Sequence, residues 1–96
     1  MKSLLIDDVR DIDADVVART FEAGIEALKA HKFDVLYLDH DLGDEDPRKT
    51  GYDILNFLEN NPQFLPSQKI ILVTSNPVGR IKMQALIKKL YETKKD

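Results

Sequence analysis

The chain has 96 residues with no cysteine and no tryptophan, and only four glycines and four prolines. Without thiols, a disulfide scaffold, a thiolate zinc site and a cysteine nucleophile are all excluded. Long apolar runs are missing too. The longest hold four residues, Val35–Leu38 and Ile70–Val73, so nothing in the sequence can span a bilayer. The start, Met1-Lys2-Ser3-Leu4-Leu5-Ile6, turns acidic at Asp7, too soon for a secretory signal. Repeats, low-complexity stretches and linkers are also lacking. These absences predict a single domain over residues 1–96, soluble and cytoplasmic, with no membrane partner.

Apolar residues make up 43% and charged residues 32%, enough to bury a modest core. The net charge of −3 is unevenly placed. Residues 1–46 hold 13 acids against 5 bases, a net of −8. Residues 80–96 hold Arg80, Lys82, Lys88, Lys89, Lys94 and Lys95 against Glu92 and Asp96, a net of +4. The acidic half excludes an extended nucleic-acid surface, which needs a basic face. The basic tail reads as the solvated end of a last helix, where the helix dipole favours cations.

Patterning gives the elements. Ser3–Ile6 is a short buried strand ending in Asp7-Asp8, and Val16 and Val17 mark a second within Asp15–Thr20. Phe21, Ile25 and Leu28 have helical spacing, predicting a helix over Phe21–His31. Phe33–Asp39 is apolar on both faces, as central parallel strands are. After the polar loop Leu42–Lys49, Thr50 caps a helix with Asp53 in capping-box spacing, and Asn60-Asn61-Pro62 ends it. Lys69–Ser75 is another strand. Asn76 then caps a helix with Pro77 at its first position, running to about Thr93 with Met83, Leu86, Ile87 and Leu90 inward.

This alternation predicts an α/β layered sheet, mostly parallel, of about four strands with three helices. The first crossover helix is missing, because only Val9–Ala14 separates the first two strands. Roughly six residues at about 3.4 Å each can still carry the chain back along a short strand, and a parallel second strand is favoured over an antiparallel one because it brings the polar strand ends together. That arrangement gathers Asp7-Asp8, Thr20, Asp39-His40-Asp41 and Thr74-Ser75-Asn76 at one carboxyl edge, where open α/β sheets bind ligands.

Three carboxylates so close repel unless a cation or protons intervene. Hard oxygen donors at a partly wet edge suit Mg²⁺, with Asp7, Asp8 and Asp39 as ligands. Opposite them, Asn76-Pro77-Val78-Gly79-Arg80 opens a helix whose free N–H groups could bind an anion, with Gly79 giving access and Arg80 a bidentate contact. His40, between two acids, is placed to act as a general acid. His31 beside Lys32 reads as structural. Asp44, Glu45 and Asp46 lack the ligand periodicity of a calcium loop and read as solvated.

With Gly51 opening a helix and Thr74 after the next strand, these acids resemble the receiver domain of bacterial response regulators. That resemblance implies a receiver-like (flavodoxin-like) fold, Mg²⁺ at the acid pair, a phosphoryl acceptor at Asp39 and a contacting hydroxyl at Thr74. The missing first helix and the lack of a receiver lysine depart from it. Leu38–Gly43, Thr50-Gly51-Tyr52-Asp53 and Asn76–Arg80 with Met83 more narrowly resemble the cyclic-phosphate-processing receiver-like family, whose domains lack that helix. This implies action on cyclic phosphates, of nucleotides or RNA ends. In that family's pattern a His and a Ser stand where this chain has Val73 and Thr74. Chemistry needing two imidazoles is therefore lost, and metal-assisted hydrolysis is not.

The expected function is a Mg²⁺-dependent phosphoesterase, with water activated at the metal attacking phosphorus. His40, Asp39 and Asp41 would be the catalytic residues, and Thr74, Asn76, Gly79 and Arg80 would hold the phosphate. The partner would be a phosphate-bearing small molecule or RNA end. The alternative is a non-catalytic or phosphorylatable interaction module, which leaves room for a protein partner.

Overall fold

The computed structural model describes residues 2–93. Four strands, β1 (Ser3–Ile6), β2 (Val16–Ala18), β3 (Val35–Leu38) and β4 (Lys69–Leu72), form one sheet in the order β2-β1-β3-β4. All three pairings are parallel. Leu4, Leu5 and Ile6 are fully buried, as expected of a central strand covered on both faces. The helices are α1 (Phe21–Ala30), α2 (Gly51–Asn60) and α3 (Pro77–Thr93), with a short 3₁₀ turn at Pro62–Phe64 before β4.

The missing crossover is real. Residues 9–14 carry no helix, yet Leu4 pairs with Val16 and Ile6 with Ala18 in parallel register. Extended chain alone makes the return. The strand order runs outward from β1 in both directions, so the β1–β3 boundary is the switch point at which open sheets place ligands.

Local capping follows the sequence. The Ala23 N–H donates to Thr20 Oγ1 at 3.1 Å, and the Gly79 N–H to Asn76 Oδ1 at 3.1 Å. At α2 the Thr50 N–H and hydroxyl both donate to Asp53 Oδ2, at 3.1 and 2.8 Å. Met83, Leu86 and Leu90 turn into a core shared with Leu36, Leu38 and Ile54, and Ile87 packs partly buried against it.

Strand lengths differ from the sequence-based extents. Phe33, Asp34 and Asp39 fall outside β3, and Val73–Ser75 outside β4, because β1 offers only four residues of ladder. Single bonds continue past its ends, from the Asp34 N–H to Lys2 O at 2.8 Å and from the Asp39 N–H to Ile6 O at 3.1 Å. His31 caps α1 and is not part of it. Of the basic tail, Lys82, Lys88 and Lys89 are exposed, whereas Lys94, Lys95 and Asp96 lie outside the described residues. Among the described residues no helix is long and apolar enough to cross a membrane.

Candidate active site

Asp7 leaves the end of β1 into the interior and is fully buried. Its Oδ1 accepts the N–H groups of Val9 and Arg10, at 3.1 and 3.3 Å, and its Oδ2 accepts Arg10 Nε–H at 3.0 Å. Burial pushes this carboxyl up, but those donors outweigh it and hold it below the ordinary carboxylate value. Asp8, half-buried, points to Gly43. A Cβ there would stand 2.9 Å from Asp8 Oδ2, and Gly43 has φ +69°, so the position favours glycine on both counts.

Asp39 follows β3 and is 8% exposed. Its Oδ1 accepts the His40 N–H at 2.8 Å, and its carboxylate is hydrogen-bonded by the Thr74 side chain. Burial raises this carboxyl, and the neighbouring Asp7 charge adds to the rise. Thr74, the His40 N–H and Arg10 oppose it without reversing it. One oxygen from each of Asp7, Asp8 and Asp39 lies within 4.8 Å of the others.

The backbone at residues 39–40 is held by α2. The Gly51 N–H donates to His40 O at 2.8 Å, and a Cβ on Gly51 would fall 1.9 Å from the Asp39 carbonyl oxygen. Only glycine lets α2 dock this closely. The His40 ring rests on α3, where a Cβ on Gly79 would stand 2.7 Å from His40 Cδ2. His40 Nδ1 lies 3.3 Å from Asp41 Oδ1, and Asp41 is otherwise exposed. Beside the ring, a cleft of about 190 Å³ is lined by His40, Pro47, Thr50, Tyr52, Asp53 and Lys82.

The edge thus unites Asp7, Asp8 and Asp39, sets His40 and Asp41 next to them, and ties buried Thr74 to Asp39. The α3 start is differently arranged from the expected open anion cradle. The Gly79 N–H is taken by Asn76 Oδ1, the Arg80 N–H by Asn76 O at 2.9 Å, and the Asn76 N–H by Thr74 Oγ1 at 3.1 Å. The space that Gly79 leaves open is filled by the His40 ring. Arg80 Nη1 reaches the carbonyls of Leu72 and Thr74, each at 3.4 Å, at the end of β4. Asp46 and Arg48 pair within their own exposed loop, outside the acid cluster.

Two arginines escape a reading of the sequence. Arg10 is the cation on Asp7, and Arg19 braces the loop that presents it. Arg19 Nη1 donates to Arg10 O at 2.7 Å and Asp7 O at 3.4 Å, and Nη2 to Asp11 Oδ1 at 2.9 Å. The available signal was the Asp7-x-x-Arg10 spacing, which lets a turn fold its own side chains together.

Three carboxylates against one guanidinium leave excess negative charge in a partly buried place, and the Asp39 carboxyl is raised there by burial first and by the Asp7 charge second. The donors are all hard oxygens. In an octahedral Mg²⁺ shell, ligand oxygens stand about 2.8–4.2 Å apart, so three carboxylate oxygens within 4.8 Å of one another suit such an ion in kind and approximate spacing, although both Asp7 oxygens already accept hydrogen bonds.

The sequence model of a family described as "Cyclic-phosphate processing Receiver domain" matches residues 2–89. The chain belongs to that family. Among curated proteins, no sequence matches it significantly.

Proposed function

We propose that this member of the cyclic-phosphate processing receiver family is a cytoplasmic, Mg²⁺-dependent phosphoesterase that opens a cyclic phosphate of a nucleotide or RNA end at the carboxyl edge. The observation that carries this reading is the convergence of Asp7, Asp8 and Asp39 within 4.8 Å, with His40 as the next residue in the chain. Mg²⁺ held by those three carboxylates would supply charge neutralisation to the phosphate oxygens.

The residues of the chain do the rest. Asp39 takes a proton from the attacking water as the oxygen of that water bonds to phosphorus. One ring P–O bond breaks, and the departing oxygen takes a proton from His40, leaving a phosphomonoester. Asp41 orients the ring through Nδ1, so Nε2 is the nitrogen left to hold that proton. Thr74 bonds the Asp39 carboxylate and Asn76 holds Thr74 Oγ1 through its backbone N–H, so this side of the site positions Asp39, and Gly79 and Arg80 would reach a phosphate only by giving up bonds they already make.

The bond between Thr74 and Asp39 also favours a second reading, in which Asp39 is phosphorylated as in signalling receivers. Hydrolysis of 2′,3′-cyclic AMP with Mg²⁺, run beside incubation with acetyl phosphate, separates the two. Turnover of the cyclic nucleotide supports the esterase. A stable adduct on Asp39 without turnover supports the signalling module.

A further inference from the structure

A cavity of about 590 Å³ opens at the other end of the sheet, between the α1–β3 connection and the turn after α2. The two segments are tied together: the Ser67 N–H donates to Phe33 O at 3.0 Å, the Gln68 N–H to Asp34 O at 2.9 Å, and the Ser67 hydroxyl to Asp34 Oδ1. Phe33, Phe64 and Leu65 line the groove on its more buried side, and Lys29, His31 and Lys32 on its exposed side. Its size is that of a small-molecule site, which typically spans ~300–1,000 Å³.

Charge in this groove is unbalanced. Among the described residues, neither Lys29 nor Lys32 has a carboxylate within 4.0 Å. Asp34, in the lining, is already engaged by the Lys2 N–H at 2.8 Å and by Ser67. Lys2 Nζ stands 3.2 Å from His31 Nδ1, so two basic groups meet with no acid between them. Helix C-termini at this edge would ordinarily disfavour an anion. Here Asn60 and Asn61 donate their side-chain amides to Asn56 O and Phe57 O, each at 2.9 Å, and the His31 N–H donates to Ala27 O at 3.0 Å. Those end carbonyls are thereby partly satisfied.

The apolar side is specific as well. Phe64 stacks on Phe57 with centroids 5.8 Å apart and planes 5° from parallel, so its ring is held in place as a platform. We infer that the groove binds a small organic phosphate bearing a flat ring, of the nucleoside monophosphate class, with its phosphate on Lys29 and Lys32 and its ring along Phe64. Ammonium groups without a carboxylate supply charge-assisted bonds, and an ordered aromatic supplies stacking. The site is separate from the carboxyl edge and stands whether or not that edge is catalytic.

The test is an amide NMR titration of the full chain with two probes, adenosine 5′-monophosphate and inorganic phosphate. Saturable shifts are expected in residues 29–34 and 62–67, with the nucleotide binding more tightly than phosphate. The double variant Lys29→Glu/Lys32→Glu should weaken nucleotide binding about tenfold or more. Phe64→Ala should bring the nucleotide down to the affinity of phosphate, and Asp39→Asn should change neither. Shifts confined to Thr74–Gly79, no saturable shift, or affinity that survives the charge reversal would each overturn the site. Equal affinity for the two probes would overturn the aromatic class of ligand.

Discussion

At the carboxyl edge of the sheet, three carboxylates crowd within 4.8 Å beside helix N-termini; at the amino edge, Lys29 and Lys32 have no carboxylate of the described residues within 4.0 Å, beside helix C-termini. Side chains have set charges that cancel part of what the helix dipoles alone would favour at either end. A carboxyl edge usually takes an anion directly, on free N–H groups. In this chain Asn76 and Thr74 occupy donors at the start of α3, and on the proposed reading the carboxylates would take a cation before a phosphate. The amino edge has the opposite requirement. The comparison teaches that the backbone places a site, while the side chains at strand ends decide the sign of its ligand.

The largest effect should come from breaking the dock between α2 and the carboxyl edge. Gly51→Ala puts a Cβ 1.9 Å from the Asp39 carbonyl oxygen, where backbone and not a flexible side chain must yield. The melting temperature should fall by roughly 10 °C or more. Thermal unfolding followed by circular dichroism checks this, and an unchanged midpoint would mean that the α2–Asp39 contact is not so close.

His40→Ala should come next, lowering cyclic-phosphate hydrolysis roughly 10²–10⁴-fold while leaving the melting temperature nearly unchanged. The ring is partly exposed and packs on one glycine, so its loss removes little core. An equal loss of folding and turnover would instead make His40 a structural residue.

Asp39→Asn isolates charge from shape. The His40 N–H and Thr74 bonds can persist on an amide, whereas the cost of burying a charge and, secondarily, the repulsion from Asp7 disappear. In metal-free buffer at neutral pH the midpoint should rise by about 4–8 °C for each kcal/mol relieved. The sign of the pH dependence follows. Asp39 is raised in the native state, so its ionisation costs stability above that raised value, and the cost vanishes as pH falls toward the ordinary value of about 3.9. Asp7 is lowered, so its contribution is present above the ordinary value and is lost as pH falls through its depressed one. The gap between Asp39→Asn and the wild type should therefore be widest at pH 7 and close toward pH 4. A gap independent of pH would contradict the repulsion.

The smallest effect sharpens the separation of the two edges. Lys29→Glu/Lys32→Glu should leave cyclic-phosphate hydrolysis within about twofold of wild type, since neither lysine approaches Asp7, Asp8 or Asp39. A steady-state assay decides it, and a large loss would mean that the edges are coupled.

How far the sequence foretold this molecule depends on the range of the interaction. The short Val9–Ala14 link and the alternation of apolar segments were enough for a parallel β2 and a missing helix, because chain reach and periodicity are local constraints. The caps at Thr50 and Asn76 were legible for the same reason, as were the acids that end β1 and β3. The use of Gly79 was not, because it depends on where the His40 ring lands from 39 residues away in the chain. Arg10 had only the weak signal of its spacing from Asp7, and Arg19 had none, since an arginine near acidic residues looks the same whether it braces a loop or faces water. The amino-edge groove is assembled from the end of α1, the α1–β3 connection and the turn after α2, and no periodicity records it.

The central claim is that the carboxyl edge is built for a cation, and one titration addresses it most directly. Mg²⁺ added to the full chain should produce saturable amide shifts first at Asp8, Asp39 and His40, with residues 29–34 and 62–67 unmoved. Shifts confined to Asp44–Asp46, or no saturable shift at the ends of β1 and β3, would contradict it.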